Sequence, residues 1–217
     1  NEILIASLRN ILVYNHETDK LKPIYKLYGT YDIEPFPIDD NLYLLGHTEG
    51  VEVLRIKRLA SGGYNVEKLD ILENFHQNIR KIVFDNQNQL WMSTAYNGVF
   101  MAKFDQDGNV ENVKRYGPNY GIKYVDNNIP FLYRDTLIMS TSGGLLYHDP
   151  TDNMFKSYRD LYGKAIFDSV EVADMKVDGD IFWFALDRGL MYYDLKKGKF
   201  ERSLFNRIEQ YGSESMK

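Results

Sequence analysis

The chain of 217 residues has no cysteine. Disulfides, thiolate metal sites and a cysteine nucleophile are therefore excluded. No apolar run approaches the roughly 18 residues that a membrane-spanning helix needs, so no membrane contact is expected. Basic residues are not in excess: 26 Lys and Arg stand against 31 Asp and Glu, interspersed, for a net charge of −5. A binder of duplex nucleic acid needs a basic stripe, so no nucleic-acid partner is expected. There is no Gly-x-Ser-x-Gly elbow, no phosphate-binding loop and no dinucleotide fingerprint. The four histidines, His16, His47, His76 and His148, are scattered, with no pair at zinc-ligand spacing. These absences lead us to expect no cofactor, no metal and no catalytic residue. Helical periodicity is poor, and one short helical turn is expected near 203–211. No secretory leader is visible before the first apolar run, so the chain reads as a piece of a longer precursor.

Aromatics and hydrophobics are plentiful. There are 17 Tyr and 12 Phe, and 44% of residues are hydrophobic. That composition belongs to a globular chain and tilts towards strands, where aromatics pack on a pleated face.

One phrase recurs. It reads "ILIASLRNILVYN" (3–15), "LYLLGHTEGVEVLRI" (42–56), "LWMSTAYNGVFMAKF" (90–104), "LIMSTSGGLLYHD" (137–149) and "FWFALDRGLMYYD" (182–194). Aligned on Asn10, Gly50, Gly98, Gly144 and Gly189, the steps are 40, 48, 46 and 45 residues. Four anchors are glycine, which suits a tight turn with positive φ. Upstream of four phrases lies another short apolar run (33–38, 79–84, 129–134 and 172–177), and downstream of each lies one more. Each unit is thus four short strands, a to d, joined by hairpin turns. Strands b and c carry apolar residues on both faces, so each sheet needs a neighbour on either side, and radial stacking supplies both.

The expected fold is all-β: a β-propeller of four-stranded antiparallel blades, in five repeats of about 45 residues. One domain spans 1–217, with blades near 1–29, 30–73, 74–118, 119–162 and 163–217. Pro35, Pro37 and Pro130 fall in strand a, the inner edge, where a missing N–H is tolerated. The first unit starts at strand b. Two arrangements stay open. In one, a closed five-bladed ring has 207–212 supplying the missing strand beside the first apolar run. In the other, the chain is part of a seven- or eight-bladed propeller. The Gly, Trp and Ser-Thr of the phrase are read as blade-stacking residues.

The phrase resembles the two-component regulator propeller repeat, which has a turn, Leu-Trp, a small-residue strand end and a Gly-led strand ending in Tyr-Asp. "DNQNQLWMSTAYNGVF" carries it best, while the first two units are degenerate. The resemblance spans essentially the whole chain. It implies a non-catalytic, periplasmic or other extracytoplasmic sensor region of a hybrid two-component protein, of the kind gut bacteria use to sense glycans. The implied partners are an oligosaccharide ligand and neighbouring propeller or signalling domains of the same protein. Dimerisation is a further expectation.

Function is expected in the loops. The b–c and d–a loops share one face, because strand direction alternates within a blade. From that face we take His47, Glu49, Tyr96, Asn97, Tyr120, Asp187 and Arg188 as ligand-binding candidates. Aromatic platforms with a few placed polar groups suit a sugar. A polysaccharide-active enzyme is the less favoured alternative and would use Glu34, Glu171 or Asp174 as paired carboxylates. A purely structural or protein–protein scaffold is the other alternative. The stretch 105–112 places its Gly too early for a calcium loop and reads as a hairpin turn.

Overall fold

A computed structural model of the chain describes residues 2–69, 71–72, 74–158, 174–186 and 189–202. Its strands form five antiparallel sheets in chain order. Blade 1 comprises β1 (Glu2–Ala6), β2 (Asn10–Asn15) and β3 (Lys20–Lys26). Blade 2 runs through β4 (Thr30–Pro35), β5 (Leu42–His47), β6 (Gly50–Arg58) and β7 (Tyr64–Leu69). Blade 3 is β8 (Ile79–Phe84), β9 (Leu90–Thr94), β10 (Val99–Phe104) and β11 (Val110–Tyr116). Blade 4 is β12 (Ile129–Tyr133), β13 (Thr136–Thr141), β14 (Gly144–Asp149) and β15 (Met154–Ser157). Blade 5 is β16 (Asp174–Asp178), β17 (Ile181–Leu186), β18 (Gly189–Asp194) and β19 (Lys199–Arg202).

The inner strands pack in series, β1 on β4, β4 on β8, β8 on β12 and β12 on β16, which makes the molecule a five-bladed β-propeller. The described part of blade 1 starts at strand b, as the repeat register anticipates. The expected closing segment 207–212, the expected helix near 203–211, Glu171, Asp187 and Arg188 lie outside the described residues.

Three details differ from the sequence reading. Strand a of blade 2 begins at Thr30 and ends at Pro35, so Pro37 falls in the following turn. Phe36, just past the strand, is buried against Phe84 and Phe104, and its N–H donates to the carbonyl of Leu42. A short 3-10 turn, Pro118–Tyr120, stands where a plain d–a loop was expected. The Ser-Thr pair also has a more specific task than stacking. Thr94 Oγ1 donates to the carbonyl of Gly98 at 2.8 Å and accepts from Asn97 N at 2.8 Å. Thr141 repeats this with Gly144 and Gly143. The hydroxyl closes the b–c hairpin from inside.

The blade interfaces carry the core. Trp91 is fully buried between blades 3 and 4, with ring centroids 4.9 Å from Tyr116, 5.0 Å from His148 and 5.7 Å from Phe155. Burying a side chain of this size contributes about 3 kcal/mol. The conformation of Gly98 has φ 81°, and a Cβ there would sit 2.7 Å from the carbonyl oxygen of Tyr116. Glycine therefore both permits the turn and admits strand d.

The turns on the opposite face are closed by carboxylates. Asp85 accepts N–H bonds from Gln87 and Gln89, and Asp105 accepts them from Asp107 and Asn109. Residues 105–109 are a capped hairpin turn, as expected.

Candidate functional site

Two β-bulges shape the loop-face end of the central channel. The register of β4 against β5 shifts between Thr30 and Asp32, and that of β8 against β9 shifts between Ile79 and Lys81. The extra residues are Tyr31 and Arg80. A bulge re-aims the side chain it inserts. Here the two inserted side chains meet, with the Arg80 guanidinium 4.2 Å from the Tyr31 ring centroid. Tyr31 remains 41% exposed, which leaves an aromatic surface at the mouth of the channel.

Beneath this platform the inner strands bring charges together. Lys81 Nζ lies 3.1 Å from Asp32 and 4.0 Å from Asp174, which sits across the axis on blade 5. Asp32 also accepts the backbone N–H of Ile82 at 2.9 Å, which ties blade 2 to blade 3. Burial by itself would lower the pKa of Lys81, but the Asp32 and Asp174 carboxylates outweigh it and raise it. Glu34 is pushed up to about 7, first by burial and then by the neighbouring Asp32 charge. Glu34 and Asp174, considered above as a hydrolytic pair, thus both belong to the channel, and Asp174 stands beside a cation.

Beside the mouth, His47 pairs across the sheet with Thr30. It occupies the position that Thr94 and Thr141 hold in the next two blades. Its Nδ1 accepts the N–H of Glu49 at 3.3 Å, so the imidazole caps the turn as the hydroxyls do elsewhere. The ring is half-buried, and burial lowers its pKa. His47, Glu49, Lys68, Phe75 and His76 line a cavity of about 180 Å³. Glu52, at its base, is held by Tyr25 Oη at 2.7 Å and by Lys68 at 3.1 Å.

Asn97 Nδ2 donates to Gln77 Oε1 at 2.8 Å, which ties the blade 3 turn to the segment that carries His76. Tyr96 beside it is 73% exposed. Three buried oxygens at this end, Thr30 Oγ1, Asn78 Oδ1 and Asn128 Oδ1, have no partner among the described residues. Such groups are satisfied by water or by a ligand.

The structure therefore brings His47 and Glu49 into one cavity and puts Tyr96 and Asn97 on the adjoining turn. Tyr120 is placed elsewhere. It packs on Tyr116 at 4.8 Å with the Lys114 ammonium 4.3 Å from its ring. Sequence reasoning missed Arg80, Asp32, Lys81 and Lys176, the last an inner-strand cation of blade 5 whose charge opposes the upward shift of Glu34. A run of charges in an inner strand was their one signal, and nothing local announces a bulge.

The fold is a β-propeller whose channel entrance carries the Tyr31–Arg80 platform. No family model and no curated protein matches the chain. Solved structures do match. The extracellular domain of a proposed one-component system of B. thetaiotaomicron aligns with a TM-score of 0.60 and 18% identity over 93% of this chain and 26% of its own. That of a proposed hybrid two-component system of the same organism aligns with a TM-score of 0.58 and 17% identity, at the same coverages. A protein from Bacteroides caccae aligns with a TM-score of 0.55 and 9% identity over 71% of its length. The chain shares their fold and spans about a quarter of the length of the two B. thetaiotaomicron domains.

Proposed function

We propose that this chain is a non-catalytic propeller module in the extracytoplasmic, periplasmic sensor region of a two-component signalling protein, and that it binds an oligosaccharide on its loop face. The observation that carries the ligand is the pair of bulges that stacks Arg80 on a half-open Tyr31. A sugar ring has an apolar C–H face that lies on an aromatic, and hydroxyls that bond to side chains around it. Asp32, Glu34 and Asp174 offer acceptors below the platform, and His47 and Glu49 offer polar groups beside it. An acceptor-rich mouth suits a neutral sugar, whose hydroxyls donate. The sensor role is supported by the fold shared with extracellular domains of proposed signalling systems. Neighbouring domains of the same protein, or a second copy of it, are the partners that would read the bound state.

The test is a thermal-shift and calorimetric screen of this chain against neutral oligosaccharides, repeated with Tyr31→Ala and Arg80→Ala. Binding to the native fold raises the apparent melting temperature by mass action. At least one ligand is expected to bind, and Tyr31→Ala is expected to weaken it by more than tenfold while the melting temperature without ligand holds. Binding that survives both substitutions would move the site off this platform.

A further inference from the structure

A second recess lies between blades 3 and 4 on the opposite face, among the a–b and c–d turns. Its cavity measures about 430 Å³, and no acidic residue lines it. Lys103 and Asn112 pair across β10 and β11, and Met101 and Lys114 form the next pair. One face of blade 3 thus presents two ammonium groups and an amide to the recess. From blade 4 come His148, Pro150 and Asn153.

The polar groups here are oriented by their partners. Asn153 Oδ1 accepts from Tyr116 Oη at 2.8 Å and stands 2.9 Å from His148 Nε2. With its oxygen taken, Asn153 is left with its amide nitrogen as the donor. Two carboxylates on the adjoining turns are already committed. Asp85 receives N–H groups from Gln87, Gln89 and Trp91. Asp149 is bonded to Lys156 at 2.6 Å. Among the described residues no ion pair joins a carboxylate to Lys103 or Lys114. Lys114 instead lies 4.8 Å from the Tyr116 ring centroid and 4.3 Å from that of Tyr120, which holds its ammonium in place.

Two unpaired ammonium groups and oriented amide donors in a recess without carboxylates select a negative charge with acceptor oxygens. The half-buried His148 ring and exposed Pro150 offer a flat apolar floor beside them. We propose that this recess is a second binding site, for an acidic sugar, with the carboxylate or sulfate between Lys103 and Lys114 and the pyranose ring over His148 and Pro150. It lies on the other face from the platform of Tyr31 and stands or falls independently of that reading.

The experiment is isothermal titration of the chain with D-glucuronate, glucose 6-sulfate, glucose and inorganic sulfate, at low and high NaCl. At least one acidic sugar is expected to bind at least tenfold more tightly than glucose and to weaken as salt screens the charges. Preference for glucuronate or for the sulfate ester identifies which oxyanion the site takes. Lys103→Gln with Lys114→Gln is expected to weaken binding by more than tenfold, and Tyr31→Ala to leave it unchanged. If the double variant melts early, Lys103→Gln alone decides, since Lys103 is exposed and touches no ring; severalfold weaker binding at an unchanged melting temperature is expected. Glucose binding as well as the acids, inorganic sulfate binding as tightly as both acidic sugars, or affinity untouched by the lysine variants would each overturn the proposal.

Discussion

Blades 2 and 3 have the same strand plan and spend it differently. At the centre of strand b, blade 3 has Trp91, while the corresponding residue of blade 2 is Leu44; both are fully buried. The tryptophan fills the space towards blade 4 together with Tyr116, His148 and Phe155. Leu44 is much smaller, and the space between blades 2 and 3 is filled by Phe36, Phe84 and Phe104, with Phe75 on Phe100 at 5.1 Å. At the end of strand b the same contrast holds. Thr94 closes its turn with a hydroxyl, and His47 closes the corresponding turn with an imidazole. Blade 3 keeps the repeat, and blade 2 departs from it where the loop-face cavity lies. A repeat protein can vary a blade locally when the replacement still satisfies the turn and fills the interface.

The largest expected effect breaks the contrast at the interface. Trp91→Ala removes the largest side chain in the space between blades 3 and 4, and a large aromatic deleted from a core costs about 3–5 kcal/mol. The melting temperature should fall by roughly 10 °C. A drop of only a few degrees would show that Tyr116, His148 and Phe155 collapse into the gap.

A smaller effect sharpens the contrast at the turn. Thr94→Val keeps the shape and leaves Asn97 N without its acceptor, at a cost of about 1–3 kcal/mol. His47→Thr, in contrast, installs the residue that blades 3 and 4 use, and should change stability by about 0.5 kcal/mol or less. Denaturant midpoints measure both. Equal losses at the two positions would mean that His47 does more for the fold than cap a turn.

The smallest effect concerns Glu34 on the inner strand of blade 2. Its folded pKa of about 7 lies above the ordinary 4.5, so the folded state holds the proton more tightly than the unfolded chain. The contribution of this group to stability therefore falls as pH rises from about 4.5 through about 7, and levels off above that. Glu34→Gln should raise the melting temperature at pH 8 by about 2–4 °C, since partial exposure screens the charge, and should change little at pH 5. Thermal melts across that range decide it. A variant less stable at pH 8 would mean that the carboxylate is stabilised by Lys81 and Lys176 more than burial opposes it.

The blade architecture was legible because it is written locally and repeatedly. Alternating apolar runs set the strands, glycines such as Gly98 set the turns, and five copies at even spacing set the ring of sheets. The prolines placed strand a on the inner edge, and Pro130 sits in β12 as anticipated, opposite Met139. Of the site, His47 and Glu49 were legible as loop-face residues, and the structure puts them in one cavity. The packing of Tyr120 was not legible, because its aromatic ring looks the same in sequence whether it faces solvent or stacks on Tyr116 and Lys114.

By itself the sequence determined what depends on spacing along the chain: strands, hairpins, five repeated four-stranded units and the polar turns at either end. Only the tertiary structure decided what depends on bulges and on meetings between blades. A single inserted residue in β4 and another in β8 are invisible to a period-two pattern, yet they turn Tyr31 onto Arg80. Lys81 finds Asp174 across the axis, far away in the chain, and no ion pair among the described residues joins a carboxylate to Lys103 or Lys114, while Asp85 and Asp149 beside them are occupied in a turn and an ion pair. Pairing across a sheet stack is a property of three-dimensional proximity, and no local rule of sequence carries it.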